Sequence, residues 1–255
     1  VRRRSREAGA AGRRGLGRKA YRARYKAPRP RLGGVHDCGA DLLLSTRRLT
    51  GVVAYEPGDG TITAHAGTTM SDLCTAVAAG GHRLTPDVPR PAQATLGGVL
   101  ADGWSGCDRL RFGPTRHHVL GMRVLLSEGG ATKTGGRLVK NVTGFELHRL
   151  YAGSGGSLCL ILEASMRLFP APAARAHATC TCDSLDAALA LAKALSTAPL
   201  TPTAITLAPN QDRWTLTATI DGRAERVTRE RSLITERAPF AVWCEGAEAL
   251  AAHDA

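Results

Sequence analysis

Polar and apolar positions alternate with two different periods along the chain. Short apolar runs cover residues 41–45 and 52–55, and a two-residue period predicts strands over 61–66, 119–127, 131–134, 158–169, 205–207, 214–220 and 240–243. A period of three to four residues predicts two capped helices: one begins at Thr69 or Ser71, and the other covers 183–197 and begins at Asp183 or Ser184. The same period predicts a charged helix over 223–237 and a short amphipathic segment over 145–151. Strands and helices are interleaved, so the pattern predicts an α+β fold.

The helical spacing also predicts which side chains face the core. In the short segment Leu147, Leu150 and Tyr151 share one face. In the helix over 183–197 the face predicted to be buried consists of Leu185, Leu189, Ala192 and Leu195.

Three glycine-rich turns interrupt these elements, at residues 95–98, 105–113 and 153–157. A loop that is almost free of side chains and leads into a buried strand lets backbone N–H groups approach an anionic or planar ligand. The alternative is a tight turn between domains that binds nothing. No P-loop lysine follows any of the three turns, and no G-x-G-x-x-G opens a helix after a first strand, so the sequence excludes a P-loop and gives no support to a Rossmann site.

The segment KNVTGFELHRLYAGSGGSLCLILEASMRLFP, together with LTGVVAYEPGD, TLGGV and RFG, resembles the vanillyl-alcohol-oxidase-type flavoproteins. Within them it is most similar to the FAD-binding subunits of bacterial glycolate oxidases. The resemblance covers about Asp41 to Pro170, and more loosely the chain to about Trp243. It implies a PCMH-type FAD-binding domain of two α/β subdomains over 40–171 and a truncated α/β cap over 172–255, preceded by a basic arm over 1–39.

The resemblance also implies a function. The cofactor is FAD, and the reaction is oxidation of a small 2-hydroxy acid, with electrons passed on to flavin and iron–sulfur subunits of a glycolate-oxidase-type complex. Carried over by motif, the cofactor-binding residues are Pro86, Thr95, Leu96, Gly97, Gly98, Ser105, Gly106, Arg111, Gly113, Ser154, Gly156, Ser157 and Ile161.

The sequence departs from the family pattern at three places. Cys159 replaces a glycine of the cofactor loop, and His117 replaces an aspartate. The first diphosphate loop is reduced to Arg31-Leu32-Gly33-Gly34, and an arginine-rich arm stands where a helix and a strand would precede it. A start region that derives from another reading frame or another segment would explain the arm. The reduced first loop and Cys159 favour a rival hypothesis, a cofactor-free structural subunit that keeps the fold, whereas the preserved second and third loops oppose it.

Candidates for acid–base chemistry lie near the expected flavin side. Lys140 or Asn141 could stabilise the anionic reduced flavin, and His148 could take the proton of a hydroxy acid. The alternative for His148 and for Glu146 is that both lie on the surface of one short helix. No His or Cys cluster predicts a metal site, and no Ser, His and Asp spacing indicates a hydrolase.

Charge and cysteine content bear on partners and compartment. Of the 34 basic and 22 acidic residues, fifteen and three lie in residues 1–50, so the rest of the chain carries nineteen of each. The net charge of +12 therefore belongs to the N-terminal fifty residues, which include the arm. We expect the arm to be mostly disordered and no specific nucleic-acid site on the folded part. The seven scattered cysteines, with Cys180 and Cys182 on one face of a strand, indicate reduced thiols. No transmembrane segment is predicted, which suggests a cytoplasmic protein that reaches the inner membrane only through partners.

Overall fold

The structure, a computed structural model, describes residues 42–136, 145–197 and 199–245, together with the backbone of Arg2–Arg3. Its strands are β1 (Arg2–Arg3), β2 (Leu42–Leu43), β3 (Val52–Glu56), β4 (Thr61–His65), β5 (His82–Arg83), β6 (Val119–Leu125), β7 (Ala131–Gly135), β8 (Leu160–Arg167), β9 (Phe169–Pro170), β10 (Ala174–Cys182), β11 (Ala204–Asn210), β12 (Arg213–Gly222) and β13 (Val242–Glu245). Its α-helices are α1 (Met70–Ala78), α2 (Leu96–Asp102), α3 (Arg109–Phe112), α4 (Leu147–Tyr151), α5 (Leu185–Leu195) and α6 (Ala224–Arg237).

The chain forms two compact units, each built from separate segments. The first unit contains the described residues up to 80 with 88–104 and 115–168, and the second contains 81–87, 105–114 and the described residues from 169 onward. The domain boundaries drawn from the sequence stay predictions. Apart from Arg2–Arg3, which pairs with Leu42–Leu43, the predicted arm lies outside the described residues.

The first unit is organised around a five-stranded antiparallel sheet. Its strand order is β3-β4-β8-β6-β7, so β8 is the central strand. The side chains of Ile161, Ala164 and Met166 on β8 are buried, as the apolar pattern of this run predicts. Helix α2 packs against β4 and β8. The sheet therefore buries the strand that follows the Gly-Ser loop and fixes where that loop ends.

The sequence predicts the start of α1 correctly. Thr69 is the N-cap, and its hydroxyl oxygen accepts a hydrogen bond from the N–H of Asp72 at 3.1 Å. The segment Thr95–Gly98, in contrast, was expected to be a glycine-rich turn and is the beginning of α2, with Thr95 as N-cap. That expectation was wrong because glycine lowers helix propensity only modestly, and burial of Leu96 and Leu100 outweighs the loss.

The second unit contains a four-stranded antiparallel sheet of order β11-β12-β10-β13 and the short pair β5–β9. Helices α5 and α6 pack on β10 and β12. The largest buried side chains of this unit include Leu195, Leu216, Ile220 and Ile234. Sheet and helices thus enclose a core of their own.

The cap of α5 was one of the two predicted residues, and its buried face was predicted only in part. Leu195 is buried and Ala192 packs against the core, as expected. Ser184 is the N-cap and accepts a hydrogen bond from Ala187 N–H at 3.2 Å. Leu185 and Leu189, expected to point inward, are 41% and 49% exposed, whereas Ala188 and Leu195 are fully buried. Apolar residues occupy more than one face of this helix, so periodicity alone could not show which face is buried. The face that packs against the sheet is the one with the small side chain of Ala188.

Gly135→Ala is expected to destabilise the protein by about 2–4 kcal/mol, from strain and overpacking together. Gly135 ends β7 with φ +71°, and a Cβ there would overlap the carbonyl oxygen of Leu120 and lie 2.8 Å from Nδ1 of His148. Urea denaturation measures the effect.

Gly129→Ala is the matched control. Gly129 also has a positive φ, +88°, but a Cβ there would meet no atom of the described residues within 4 Å. Gly129→Ala should therefore lose only the stability that the unfavourable positive φ costs, about 1 kcal/mol. Equal losses in the two variants would contradict the overlap at Gly135.

Candidate cofactor site

The N-terminus of α2 is anchored by its own backbone donors. Leu96 N–H donates to Thr68 O at 2.9 Å, and Gly97 N–H donates to Ala66 O at 2.8 Å. The third donor, Gly98 N–H, bonds to the hydroxyl oxygen of the N-cap at 3.3 Å. These amides therefore fix the helix on the connection between β4 and α1, and any cofactor contact of Leu96 and Gly97 requires groups other than these N–H donors.

Gly97 allows this close packing. A Cβ at this position would lie 2.8 Å from the Cβ of Ala66 and 3.0 Å from its carbonyl oxygen. Any side chain would push α2 away from the strand end. The glycine of the TLGGV motif therefore has a packing role that the sequence alone did not reveal.

The Gly-Ser loop over 153–157 lies against the C-terminus of α2. Gly153 N–H donates to Leu100 O and Gly155 N–H to Ala101 O, both at 2.8 Å. A Cβ on Gly103, the C-cap of α2, would lie 3.0 Å from the Cα of Gly153. Two motifs that are some fifty residues apart in sequence are thus joined by backbone hydrogen bonds and by glycine-to-glycine contact.

The conformation of this loop depends on glycine. Gly153, Gly155 and Gly156 have φ values of +85°, +62° and +71°, a region that side chains disfavour. Among the described residues, no atom lies within 4 Å of a Cβ placed on Gly155, so none of them covers this side of the loop. Ser157 closes the turn by donating its hydroxyl proton to Ser154 O at 2.6 Å. A side-chain-poor backbone with left-handed residues and an open side fits close approach by a planar or anionic cofactor.

The remaining predicted cofactor residues lie in the second unit. Pro86 and Ser105 are buried. Gly106 has φ +70°, and a Cβ there would collide with the backbone oxygen of Asp87. Gly113 ends α3 with φ +78°. Arg111 donates to the carbonyl oxygen of Asp221 at 3.0 Å.

The candidate catalytic residues have different surroundings. Lys140 and Asn141 lie outside the described residues. Glu146 is exposed and forms an ion pair with Arg149 at 2.9 Å, as expected for a surface residue. His148 is 5% exposed, so the expectation that it lies on the surface was wrong. Helix α4 turns His148 and Tyr151 inward and leaves Leu147 and Leu150 42% and 60% exposed, the reverse of the predicted apolar face for those two leucines.

Burial determines the charge state of His148. Desolvation lowers the pKa of its imidazole below the ordinary value of 6.5, the carboxylate of Glu146 opposes this, and Arg149 reinforces it. No described residue bonds to its buried Nδ1. The imidazole is therefore neutral near pH 7 and can hold a proton on only one nitrogen.

His148 makes stability depend on pH with a defined sign. The pKa is lower in the folded than in the unfolded state, so its contribution is complete above pH 6.5 and is lost as the pH falls towards the folded pKa. When the pH is lowered from neutral to mildly acidic, we expect the free energy of unfolding to fall less in His148→Gln than in the parent protein. Urea midpoints across that range measure this, with exposed His117→Gln as the control. Parallel pH profiles for His148→Gln and the parent would contradict the prediction.

Sequence reasoning missed a buried charge cluster in the second unit. The carboxylate of Asp221 is fully buried at the end of β12 and contacts the guanidinium groups of Arg83, Arg175 and Arg111. Thr203 donates a further hydrogen bond at 2.8 Å. The one available signal was an aspartate that follows the alternating apolar run Leu216, Ala218, Ile220, where a buried charge needs a partner.

Neither a metal site nor a disulfide is found within the described ranges. No group of three or more metal-ligating side chains occurs there. The cysteines in these ranges are free thiols, and Cys180 and Cys182 are buried on β10 as predicted.

The fold and the loops define a class. A mixed helix and sheet architecture with a glycine-rich loop on a short helix is that of a PCMH-type FAD-binding domain. Residues 31–135 match the family described as FAD binding domain, a match that includes Arg31–Gly34. Residues 31–135 thus correspond to an FAD-binding domain, and FAD is the cofactor that this match indicates.

Comparison with characterised proteins supports this assignment. The chain is 31% identical over 165 residues to glycolate oxidase subunit GlcD of Bacillus subtilis (strain 168), covering 62% of this chain and 35% of that protein. It is 37% identical over 132 residues to glycolate oxidase subunit GlcE of Escherichia coli (strain K12), covering 51% and 38%. The chain thus spans little more than a third of the length of these relatives.

A solved structure shows the same fold. An alkyldihydroxyacetonephosphate synthase matches with a TM-score of 0.69 and 17% identity, covering 83% of this chain and 44% of that chain. In the part of the chain that the structure describes, none of the helices is long and apolar enough to cross a bilayer.

Proposed function

We propose that this chain forms the FAD-binding part of an oxidoreductase that oxidises a small 2-hydroxy acid of the glycolate type. Two relatives are glycolate oxidase subunits, and a third, 32% identical over 138 residues, is D-lactate dehydrogenase of Archaeoglobus fulgidus. Glycolate and D-lactate are both 2-hydroxy acids. The observation that carries the proposal is the Gly-Ser loop, whose left-handed glycines and open side lie on the end of α2.

The proposed cofactor residues fall into two sets. In the first unit they are Thr95, Leu96, Gly97, Gly98, Ser154, Gly156, Ser157 and Ile161, and in the second they are Pro86, Ser105, Gly106, Arg111 and Gly113. FAD, when bound, supplies a hydride acceptor. The chain's contribution is a glycine backbone that admits close approach, and the buried Ile161 that holds the loop's following strand in place.

The presence of Cys159 in place of a glycine is compatible with this proposal. Its side chain is only 6% exposed, and burial raises its pKa to about 11. The thiol therefore stays protonated and packs in the interior. This removes one of the two arguments for a cofactor-free subunit.

The proposal extends to partners and compartment. Because two relatives are named as subunits, we propose that the chain works with flavin and iron–sulfur subunits of a glycolate-oxidase-type complex. We further propose a cytoplasmic location, with contact to the inner membrane only through those partners. Neutral His148 is proposed as a proton acceptor within the same function, and Lys140 or Asn141 as a group that stabilises the anionic reduced flavin.

Visible absorption after incubation with FAD and gel filtration tests the cofactor part. We expect flavin bands that travel with the protein. A second measurement, reduction of a dye by glycolate or D-lactate with flavin and iron–sulfur partner subunits added, tests the reaction. Flavin retention without oxidation would contradict only the substrate assignment, whereas absence of flavin in folded protein would favour the cofactor-free subunit.

A further inference from the structure

A cavity of about 390 Å³ lies within the second unit. Leu110 and Arg111 of α3 form one side, and the opposite side is formed by residues at and after the end of α5, namely Ser196, Leu200, Thr201 and Pro202. We name it the Arg111 pocket. Its volume lies within the range of small-molecule sites.

The charge beneath the pocket is not balanced. Three guanidinium groups share the single carboxylate of Asp221: Arg83 at 2.6 Å, Arg175 at 3.1 Å and Arg111 at 3.4 Å. The next carboxylate, that of Asp108, is 3.9 Å from Arg83. With both carboxylates counted, these three arginines carry one positive charge more than the carboxylates balance, and a partly buried excess charge favours an anionic ligand.

Arg226 does not change this balance. It bonds to the buried carboxylate of Glu230 at 3.0 Å, so these two residues form a neutral pair of their own. The excess charge stays with the arginines around Asp221.

Arg111 is the member of this group that a ligand can reach. Its side chain is 31% exposed, compared with 16% for Arg83 and 7% for Arg175. Its Nη1 donates to the backbone and side chain of Asp221. Within the described ranges, its Nε and Nη2 groups have no hydrogen-bond partner.

The guanidinium group of Arg111 is also held in place before any ligand arrives. Asp221 fixes it at Nη1, and the Phe112 ring centroid lies 5.3 Å from its central carbon. A guanidinium that is already ordered loses little entropy when it binds, and two N–H groups on a fork fit the two oxygens of a carboxylate.

The walls of the pocket select the rest of the ligand. Leu110, Leu200 and Pro202 provide apolar surface beside the charge. The hydroxyl of Thr201 already donates to Glu230 at 2.8 Å, so it is not available as a donor to a ligand. We propose that the Arg111 pocket binds a small carboxylate with a short apolar body, paired through Nε and Nη2 of Arg111. All of the residues that line this site belong to the second unit, and Arg111 is shared with the set proposed for the cofactor, so the titration below is made on flavin-free protein.

Titration of the full chain with isobutyrate, followed by methyl NMR, tests the proposal. We expect saturable shifts of the Leu110 and Leu200 methyl signals and no shift of Ile161, which belongs to the first unit. Isobutyramide, of the same shape without the charge, is the matched ligand. It should bind at least about tenfold more weakly, since a charge-assisted hydrogen bond contributes that much or more.

Three variants locate the site. Arg111→Gln should weaken isobutyrate binding by about tenfold or more, and Arg229→Gln, at an exposed arginine of α6 outside the pocket, should leave it unchanged. Ser196→Trp should fill the pocket and abolish binding while Arg111 keeps its contacts to Asp221. Circular dichroism establishes that each variant is folded.

Four results would overturn the proposal. They are equal affinity for isobutyrate and isobutyramide, unchanged binding in folded Arg111→Gln, unchanged binding in folded Ser196→Trp, and the lack of any saturable shift at Leu110 and Leu200.

Discussion

Asp221→Asn is expected to destabilise the second unit by about 3–5 kcal/mol, the cost of removing one partner from a buried ion pair. Asparagine keeps the size and one acceptor oxygen but removes the charge. Arg83 and Arg175, at 16% and 7% exposure, would then be left without the carboxylate that both contact. Urea denaturation followed by fluorescence of Trp214 and Trp243, which both belong to this unit, reports the loss.

Asp183→Asn is the matched control for this prediction. Asp183 also pairs with an arginine, Arg213 at 3.3 Å, but the two side chains are 87% and 64% exposed. Solvent screens such a pair, so its loss should change stability by no more than about 1 kcal/mol. Similar effects of the two substitutions would show that the buried cluster is not a stabilising network.

The effect of Asp221 depends on pH in a defined direction. Burial alone would raise the pKa of this carboxyl, but the hydrogen bond and charge of Arg83, the hydrogen bond from Thr203 and the charge of Arg175 together hold it below its ordinary value of 3.8. A carboxyl with a lowered pKa in the folded state stabilises fully above its unfolded pKa and loses that contribution as the pH falls through the folded pKa. The difference in the free energy of unfolding between the parent protein and Asp221→Asn should therefore be constant near neutral pH. It should become smaller only below pH 3.8. A difference that becomes smaller already near neutral pH would contradict the lowered pKa.

Gly156→Val is expected to reduce bound flavin at least about tenfold, which corresponds to a loss of about 1.4 kcal/mol in binding. Gly156 is buried with φ +71° in the Gly-Ser loop. A β-branched residue in this conformation costs about 1–3 kcal/mol of strain, and its side chain would intrude where the backbone approaches the cofactor. The flavin-to-protein absorbance ratio after incubation with FAD measures the effect.

Gly129→Val is the matched control, because it introduces the same kind of backbone strain outside the Gly-Ser loop. Gly129 has φ +88° and lies in the turn between β6 and β7, with no atom within 4 Å of an added Cβ. This variant should keep its flavin. Gly156→Ala provides a milder change if Gly156→Val does not fold. Retention of flavin in a folded Gly156 variant would mean that the loop is only a turn.

How much of the candidate site the sequence predicts differs from residue to residue. The motifs identified the Gly-Ser loop and the strand with Ile161 because their signals, glycine content and apolar alternation, are local. The role of Gly97 was not accessible in this way, since it depends on the distance to Ala66 on another element. The burial of His148 was missed for the same reason, because α4 is too short for its pattern to select a face.

Although it indicated only the end of β10 and took the start of α2 for a turn, the sequence by itself determined most of the other long elements. It also narrowed the caps of α1 and α5 to two residues each, and it identified the turn between β6 and β7 and the resemblance to FAD-binding proteins. Each of these depends on residues that are close in the chain, where propensity, capping and turn chemistry act. Tertiary structure alone decided that Ala188 rather than Leu189 packs inward, and that Arg83, Arg111 and Arg175 meet at Asp221. A buried charge is tolerated only when its partners are near, and those partners come from segments up to 138 residues away, so only the folded chain could bring them together.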